Sequence, residues 1–152
     1  MSKLRNTSRW LPVLVWLLVI FCFSTDTFSS AHTSGIIIPT LKFVFPSLSP
    51  AQLDIGHIIC RKAGHLLEYF VLGILVWRAW IPVQSGSMRP MLLMTALILA
   101  VALSDEFHQL FVPSRGSAWT DVGYDVIGGA IALMLMARFR NESRTLHSHS
   151  VL

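Results

Sequence analysis

Four apolar runs, Trp10 to Phe23, Ala63 to Ile81, Met91 to Phe111 and Asp121 to Phe139, recur along the chain with polar or turn-rich stretches between them. A helix needs about 20 residues to cross the hydrocarbon core of a bilayer. Three of the runs approach that length. The first is short and broken by Pro12, but Ser8, Ser24 and Thr25 extend it, because hydroxyls bond back to helix backbone. Composition agrees: 53% of the residues are hydrophobic, only 13% are charged, and the mean hydropathy is +0.61. One domain of 152 residues could not hide that much apolar surface in a soluble core, whereas lipid solvates it directly. The fold class is therefore an all-α membrane protein with four transmembrane helices. A cleavable signal peptide is the competing reading of the first run, with Lys3, Arg5 and Arg9 ahead of it and Ser29-Ser30-Ala31 behind it. A retained anchor fits better with three further spans.

Thr25 to Lys62 separates the first two runs. Within it, Ser49-Pro50-Ala51-Gln52 reads as a capping box with proline at the first helical position. It predicts a short extracytoplasmic amphipathic helix before the second span, leading into it with a bend favoured by Gly56 and Gly64. Pro82 to Pro90 and Val112 to Thr120 are turns, and the tail from Arg138 is polar and expected to fray. The expected organisation is an anchor over 1–24, an extracytoplasmic segment over 25–60, a three-helix core over 61–139 and a cytoplasmic tail over 140–152.

The net charge of +4 could suggest nucleic acid, but no aromatic-basic stripe or basic recognition helix exists. The lysines and arginines lie instead at the ends of the apolar runs. With the amino terminus inside, the inner face holds Lys3, Arg5, Arg9, Arg78, Arg89, Arg138, Arg140 and Arg144. The outer face holds Lys42, Arg61, Lys62 and Arg115. That bias predicts two cytoplasmic termini. It also brings the unusual polar residues to one depth, at the outer ends of spans two, three and four.

Residues three and four apart share a helix face. Lys62, His65 and Tyr69 form one stripe, with Arg61 and Glu68 beside it. Asp105, His108 and Gln109 form a second, with Glu106 turned partly aside. Asp121, Asp125, Gly128 and Ala132 form a third, whose small residues allow close helix approach. Ionisable groups inside a span are costly and usually face a bundle interior or a wet cavity. The candidate cluster is Lys62, His65, Glu68, Tyr69, Asp105, Glu106, His108, Gln109, Arg115, Asp121 and Asp125. As a pocket, its carboxylates and histidines suit acid–base work, and Arg115 and Lys62 suit an anionic group. As a lock, the cations would only neutralise the carboxylates and pin the helices. His65-x-x-Glu68 and Asp105-x-x-His108 have the i, i+3 spacing of helix-bundle metal ligands. The basic neighbours argue against a cation, so no metal and no cofactor is expected. His57 reads as an interfacial helix residue, the tryptophans as membrane-interface anchors and the methionines as packing. Cys22 and Cys60 have no spacing that calls for a disulfide.

Three blocks of this chain resemble the VanZ-like family of small bacterial membrane proteins. They are Arg61-Lys62-Ala63-Gly64-His65-Leu66-Leu67-Glu68-Tyr69 with Leu72-Gly73; Ser104-Asp105-Glu106-Phe107-His108-Gln109 with Phe111-Val112-Pro113 and Arg115; and Asp121 with Asp125 and Gly128. They occur in the family's order, with Asp125 where asparagine is common and Ser114 where glycine is common. The resemblance implies a protein of the bacterial cytoplasmic membrane and cell envelope, in a family named for an association with teicoplanin resistance. It implies no settled reaction. Two functions follow as expectations. One is recognition of an envelope component, whether a cell-wall precursor, a lipid or a glycopeptide-like amphiphile, with the lipid bilayer as the other partner. The other is a membrane-embedded acid–base enzyme acting on a lipid-linked or cell-wall precursor. The absence of an activated nucleophile and of a cofactor motif favours the first.

Overall fold

The computed structural model describes residues 2–80, 89–112 and 118–149. Among them the chain is helical, with no strand. Five α-helices follow in order: α1 (Ser2–Phe23), α2 (Ser30–Val44), α3 (Pro50–Trp80), α4 (Arg89–Gln109) and α5 (Trp119–His149). A 3-10 turn at Asp26–Phe28 joins the first two.

Two of these, α4 and the Trp119–Glu142 part of α5, are each long and apolar enough to cross a membrane. Ser8–Phe23 and Asp26–Val44 meet that test only as a pair, with a 70° bend between them, the form of a broken span or a re-entrant turn. The apolar half of α3 carries His65, Glu68 and Arg78, which lower its hydropathy, and it is not among those helices. Outward-facing side chains match a lipid surround. Leu11, Leu14 and Leu18 on α1, Leu92, Leu93 and Leu99 on α4 and Ile127 and Met134 on α5 are all exposed. Contiguous apolar surface of this kind needs an apolar solvent or a partner.

The capping box forms where the sequence places it. Ser49 N–H donates to Gln52 Oε1 at 2.8 Å, and Gln52 N–H donates to Ser49 Oγ at 3.4 Å. The helix it starts is longer than expected: α3 continues unbroken through Gly56 and Gly64 to Trp80. Gly56 marks a close approach to a neighbouring helix, since a Cβ there would meet Leu41 Cδ1 of α2 at 2.9 Å. That neighbour is the main departure from expectation. Ser30–Val44, rich in Ser, Thr and Gly and carrying Pro39, folds as a 15-residue helix. Its packing on α3 overrides weak local propensity, with Thr33 Oγ1 3.2 Å from Nε2 of the buried His57. The tail also differs. Instead of fraying after Arg138 it remains helical to His149, because no glycine or proline after Gly129 interrupts α5.

The core lies where α3, α4 and α5 meet. Tyr69, Leu72 and Val76 of α3 pack with Ile98 and Ala102 of α4 and Leu133 of α5. Glycines set the spacing. A Cβ on Gly128 would collide with the backbone carbonyl of Leu66, and one on Gly73 would lie 2.8 Å from the Gly129 carbonyl oxygen. On the other side of α5, a Cβ on Gly129 would meet Ile98 Cγ2 at 2.7 Å. Backbone therefore touches backbone along the α3–α5 seam. α1 joins through Trp16, whose Nε1–H donates to the Glu68 carbonyl at 2.9 Å, and through edge-on contact of Trp10 with Trp80. Cys22 and Cys60 are free, exposed thiols.

The seam makes a clear prediction. Gly128→Ala forces α3 and α5 apart and should cost about 1–3 kcal/mol of overpacking, read as a lowered melting temperature in detergent. Gly123→Ala, on the same helix with nothing within 4 Å of its Cβ position, should be neutral or slightly stabilising, since alanine is the better helix former. Equal melting of the two variants would refute the seam.

Candidate functional site

The glycine seam also fixes a register. Lys62 of α3 lies opposite Asp121 of α5, His65 opposite Asp125, and Gly73 opposite Gly129 and Ala132. Both series increase together, so α3 and α5 run parallel. α4 runs against them, bringing Ile98 to Gly129 and Asp105 to the level of Asp125. Polar residues distant in sequence therefore gather at one end of the bundle.

Two cross-helix pairs line that end. Lys62 Nζ is 3.0 Å from Asp121 Oδ1 and sits 4.3 Å over the Tyr124 ring. One turn deeper, His65 Nδ1 is 3.1 Å from Asp125 Oδ1, and Asp125 is 1% exposed. Asp105 of α4 completes the group. Its carboxylate, the His65 imidazole and the Asp125 carboxylate each offer a ligand-type atom within 4.8 Å of the others. Gln109 Nε2–H donates to Asp105 Oδ2 at 2.8 Å, which orients that carboxylate from the next turn of α4.

The face of α4 differs from expectation. Its buried stripe is Met94, Ile98, Ala102, Glu106 and Gln109, so Glu106 is turned inward rather than aside. Contact with α5 drives this, since Ile98 must meet Gly129. Glu106 is 3% exposed and takes a hydrogen bond from the Ala118 backbone, while its Oε1 has no partner among the described residues. The Tyr69 hydroxyl is likewise fully buried without a hydrogen bond among the described residues, and Asp125, Asp105, Glu68 and Glu106 all act on it electrostatically. His108 lies at the edge of the group, outside the trio of His65, Asp105 and Asp125. Its Nδ1 is 3.2 Å from Ser24 Oγ and its ring packs on Phe21, so it binds α4 to the end of α1. Arg115 falls in 113–117, outside the described residues. Ser24 and Tyr124 join the site without having been singled out. Tyr124 lies three residues beyond Asp121 on the same face, whereas nothing local marks Ser24.

Two cavities adjoin the cluster and share Ile20 and Asp105 in their walls. One, of about 170 Å³, lies among α1, α2, α3 and α4 and is lined by Arg61, His65, Glu68 and Asp105, with Ser24 and Thr33. The other, of about 320 Å³, lies between α1 and α4. Its wall is mainly Leu17, Phe21, Ala100 and Val101, with Ser104, Asp105 and His108 at its polar part.

Parallel helices joined through glycine, apolar outer faces and an ionisable cluster in the bundle define a helical membrane protein with a buried polar centre. The chain belongs to the VanZ/LLP1 family, whose sequence profile matches residues 9–140. No curated protein and no solved structure matches it significantly.

Lys62 is about a third exposed and Asp121 mostly buried, so their pair lies between the surface and buried regimes and should be worth about 1–3 kcal/mol. Lys62→Met alone leaves Asp121 unpaired and should lower the melting temperature. Adding Asp121→Asn should recover part of that loss, and the double-mutant cycle gives the coupling. Additive losses would show that the two side chains do not interact.

Proposed function

We propose that this protein is a four-span protein of the bacterial cytoplasmic membrane that recognises an amphiphile of the cell envelope, holding the polar head in the cluster cavity and the apolar part between α1 and α4. The observation that carries this reading is the position of Asp105, in the wall of both a polar and an apolar cavity. A site for a molecule with one charged end and one greasy end needs that junction, and the larger cavity falls within the size range of small-molecule sites. Arg61 and His65 in the polar wall suit a phosphate or carboxylate head. The His65–Asp125 contact also supports a second reading, an acid–base enzyme acting on a lipid-linked precursor, because a carboxylate beside an imidazole orients it for proton transfer.

The proposed topology has both termini in the cytoplasm, with α1, the second half of α3, α4 and α5 as spans and the cluster toward the outer surface. In a cysteine-free background, a cysteine at Ser114 should react with an impermeant maleimide from outside. One at Ser143 should react only after permeabilisation. The reverse pattern would move the cluster to the cytoplasmic side.

Native mass spectrometry of the detergent-purified chain tests recognition. The expected result is a retained amphiphile that is lost in Asp105→Asn, which keeps shape but removes charge, and in Ala100→Phe, which fills the apolar cavity from an exposed position. Both variants should melt close to the parent. Retention of the same molecule by both would sink the proposal.

A further inference from the structure

We propose that His65, Asp105 and Asp125 form a site for one divalent transition-metal ion, with an open coordination position toward the cavity beside Arg61. The ion stands on geometry independent of the amphiphile; only the identity of the group that completes its shell rests on that earlier reading.

Three helices each contribute one donor. One imidazole nitrogen and two carboxylate oxygens form a mixed set that suits zinc, manganese or iron better than magnesium or calcium, which prefer all-oxygen shells. Metal–ligand distances of about 2.0–2.2 Å place the donors of a tetrahedral site roughly 3.4 Å apart. The His65–Asp125 distance of 3.1 Å is close to that, and all three donors lie within 4.8 Å of one another. Gln109 holds Oδ2 of Asp105, the kind of outer contact that orients metal ligands. His65 and Asp105 both line the 170 Å³ cavity, so the open position faces space that an anionic oxygen can reach.

The second observation is independent of the trio. Glu106 Oε1 and the Tyr69 hydroxyl are buried and lack partners among the described residues, and the Asp105 carboxylate acts electrostatically on both. Buried polar atoms left unpaired are rare and point to a missing ion or water. Two of the basic neighbours that argue against a cation in the sequence, Lys62 and Arg61, are placed beside the trio rather than in it, and Arg115 falls outside the described residues. Lys62 is engaged by Asp121 and the Tyr124 ring, on the next turn of α3. Arg61 lies one helical turn from His65 and shares its cavity, where it suits the second oxygen of a metal-bound anion.

The test titrates chelator-treated, full-length protein in detergent with cobalt(II), whose visible absorption reports four- or five-coordinate sites. A His147→Ala/His149→Ala background removes the tail histidines. The expected result is one cobalt per chain, proton release on binding and a raised melting temperature. His65→Gln, Asp105→Asn and Asp125→Asn should each weaken binding at least about tenfold, and Asp54→Asn, on an exposed position of α3, should not. If Asp125→Asn fails to fold, Asp105→Asn decides alone. No uptake, uptake unchanged in the trio variants, or uptake lost with the tail histidines would each overturn the site. Cobalt uptake and lipid retention are read separately on the same purified protein, so cobalt binding without lipid retention, or the reverse, separates the two proposals.

Discussion

The close contact of α3 and α5 governs where every polar group of this protein lies. Gly128 lets the Leu66 backbone approach without a side chain between, and Gly73 does the same against Gly129 a few turns on. Helices brought to that distance in parallel must match their faces turn by turn. A basic and a titratable residue on α3, Lys62 and His65, therefore meet acidic residues at the matching positions of α5, Asp121 and Asp125. Small residues matter more in lipid than in water, because lipid offers apolar side chains no gain in leaving it and close packing must supply the attraction. The same closeness brings Ile98 of α4 onto Gly129, which rotates α4 until Glu106 faces inward.

This arrangement explains the uneven hydropathy of the helices. α4 is apolar enough to span alone because its charges are confined to its two ends, Arg89 at the first residue and Asp105 and Glu106 near the last, and its exposed face is leucine-rich. α3 carries Lys62, His65 and Glu68 along its length and still joins the bundle, since its apolar residues Leu72 and Val76 are buried against α4 and α5. A charge at depth is costly when it faces lipid and far less so when it is paired inside. Hydropathy averages over all faces of a helix, so it undervalues one that turns its polar stripe to a neighbour.

Much of this was legible in the sequence. The capping box at Ser49 and Gln52 and the small-residue face of α5 follow from local spacing, which a helix preserves, and the shared level of His65, Asp105 and Asp125 follows from the alternating direction of the apolar runs. The pairing partners were not legible, because spacing gives a face but not its rotation toward another helix. Glu106 illustrates this: its burial depends on Ile98 meeting a glycine some 30 positions away. α2 was missed for a different reason. Its Ser, Thr, Gly and Pro content gives weak helical propensity, and contacts such as Thr33 with His57 stabilise it. His108 shows the limit of reading faces alone, since its partner is Ser24 at the end of α1, which no local spacing marks.

The choice between a lock and a pocket turns on what the cluster leaves unsatisfied. A lock has no reason to bury more polar atoms than it pairs, because an unpaired buried group costs about 1–3 kcal/mol while a net hydrogen bond returns only about 1 kcal/mol. Lys62 with Asp121 fits a lock, as does Gln109 with Asp105. Glu106 Oε1 and the Tyr69 hydroxyl do not, for they are buried near carboxylates without a hydrogen-bond partner among the described residues. A cavity lined by Arg61, His65 and Asp105 also contributes nothing to holding helices together. Unsatisfied groups and open space beside a paired scaffold are what a site needs when part of its coordination comes from a bound partner. On that ground Lys62, Asp121 and Gln109 are the supports of the cluster, and His65, Asp105 and Asp125 are the residues it presents.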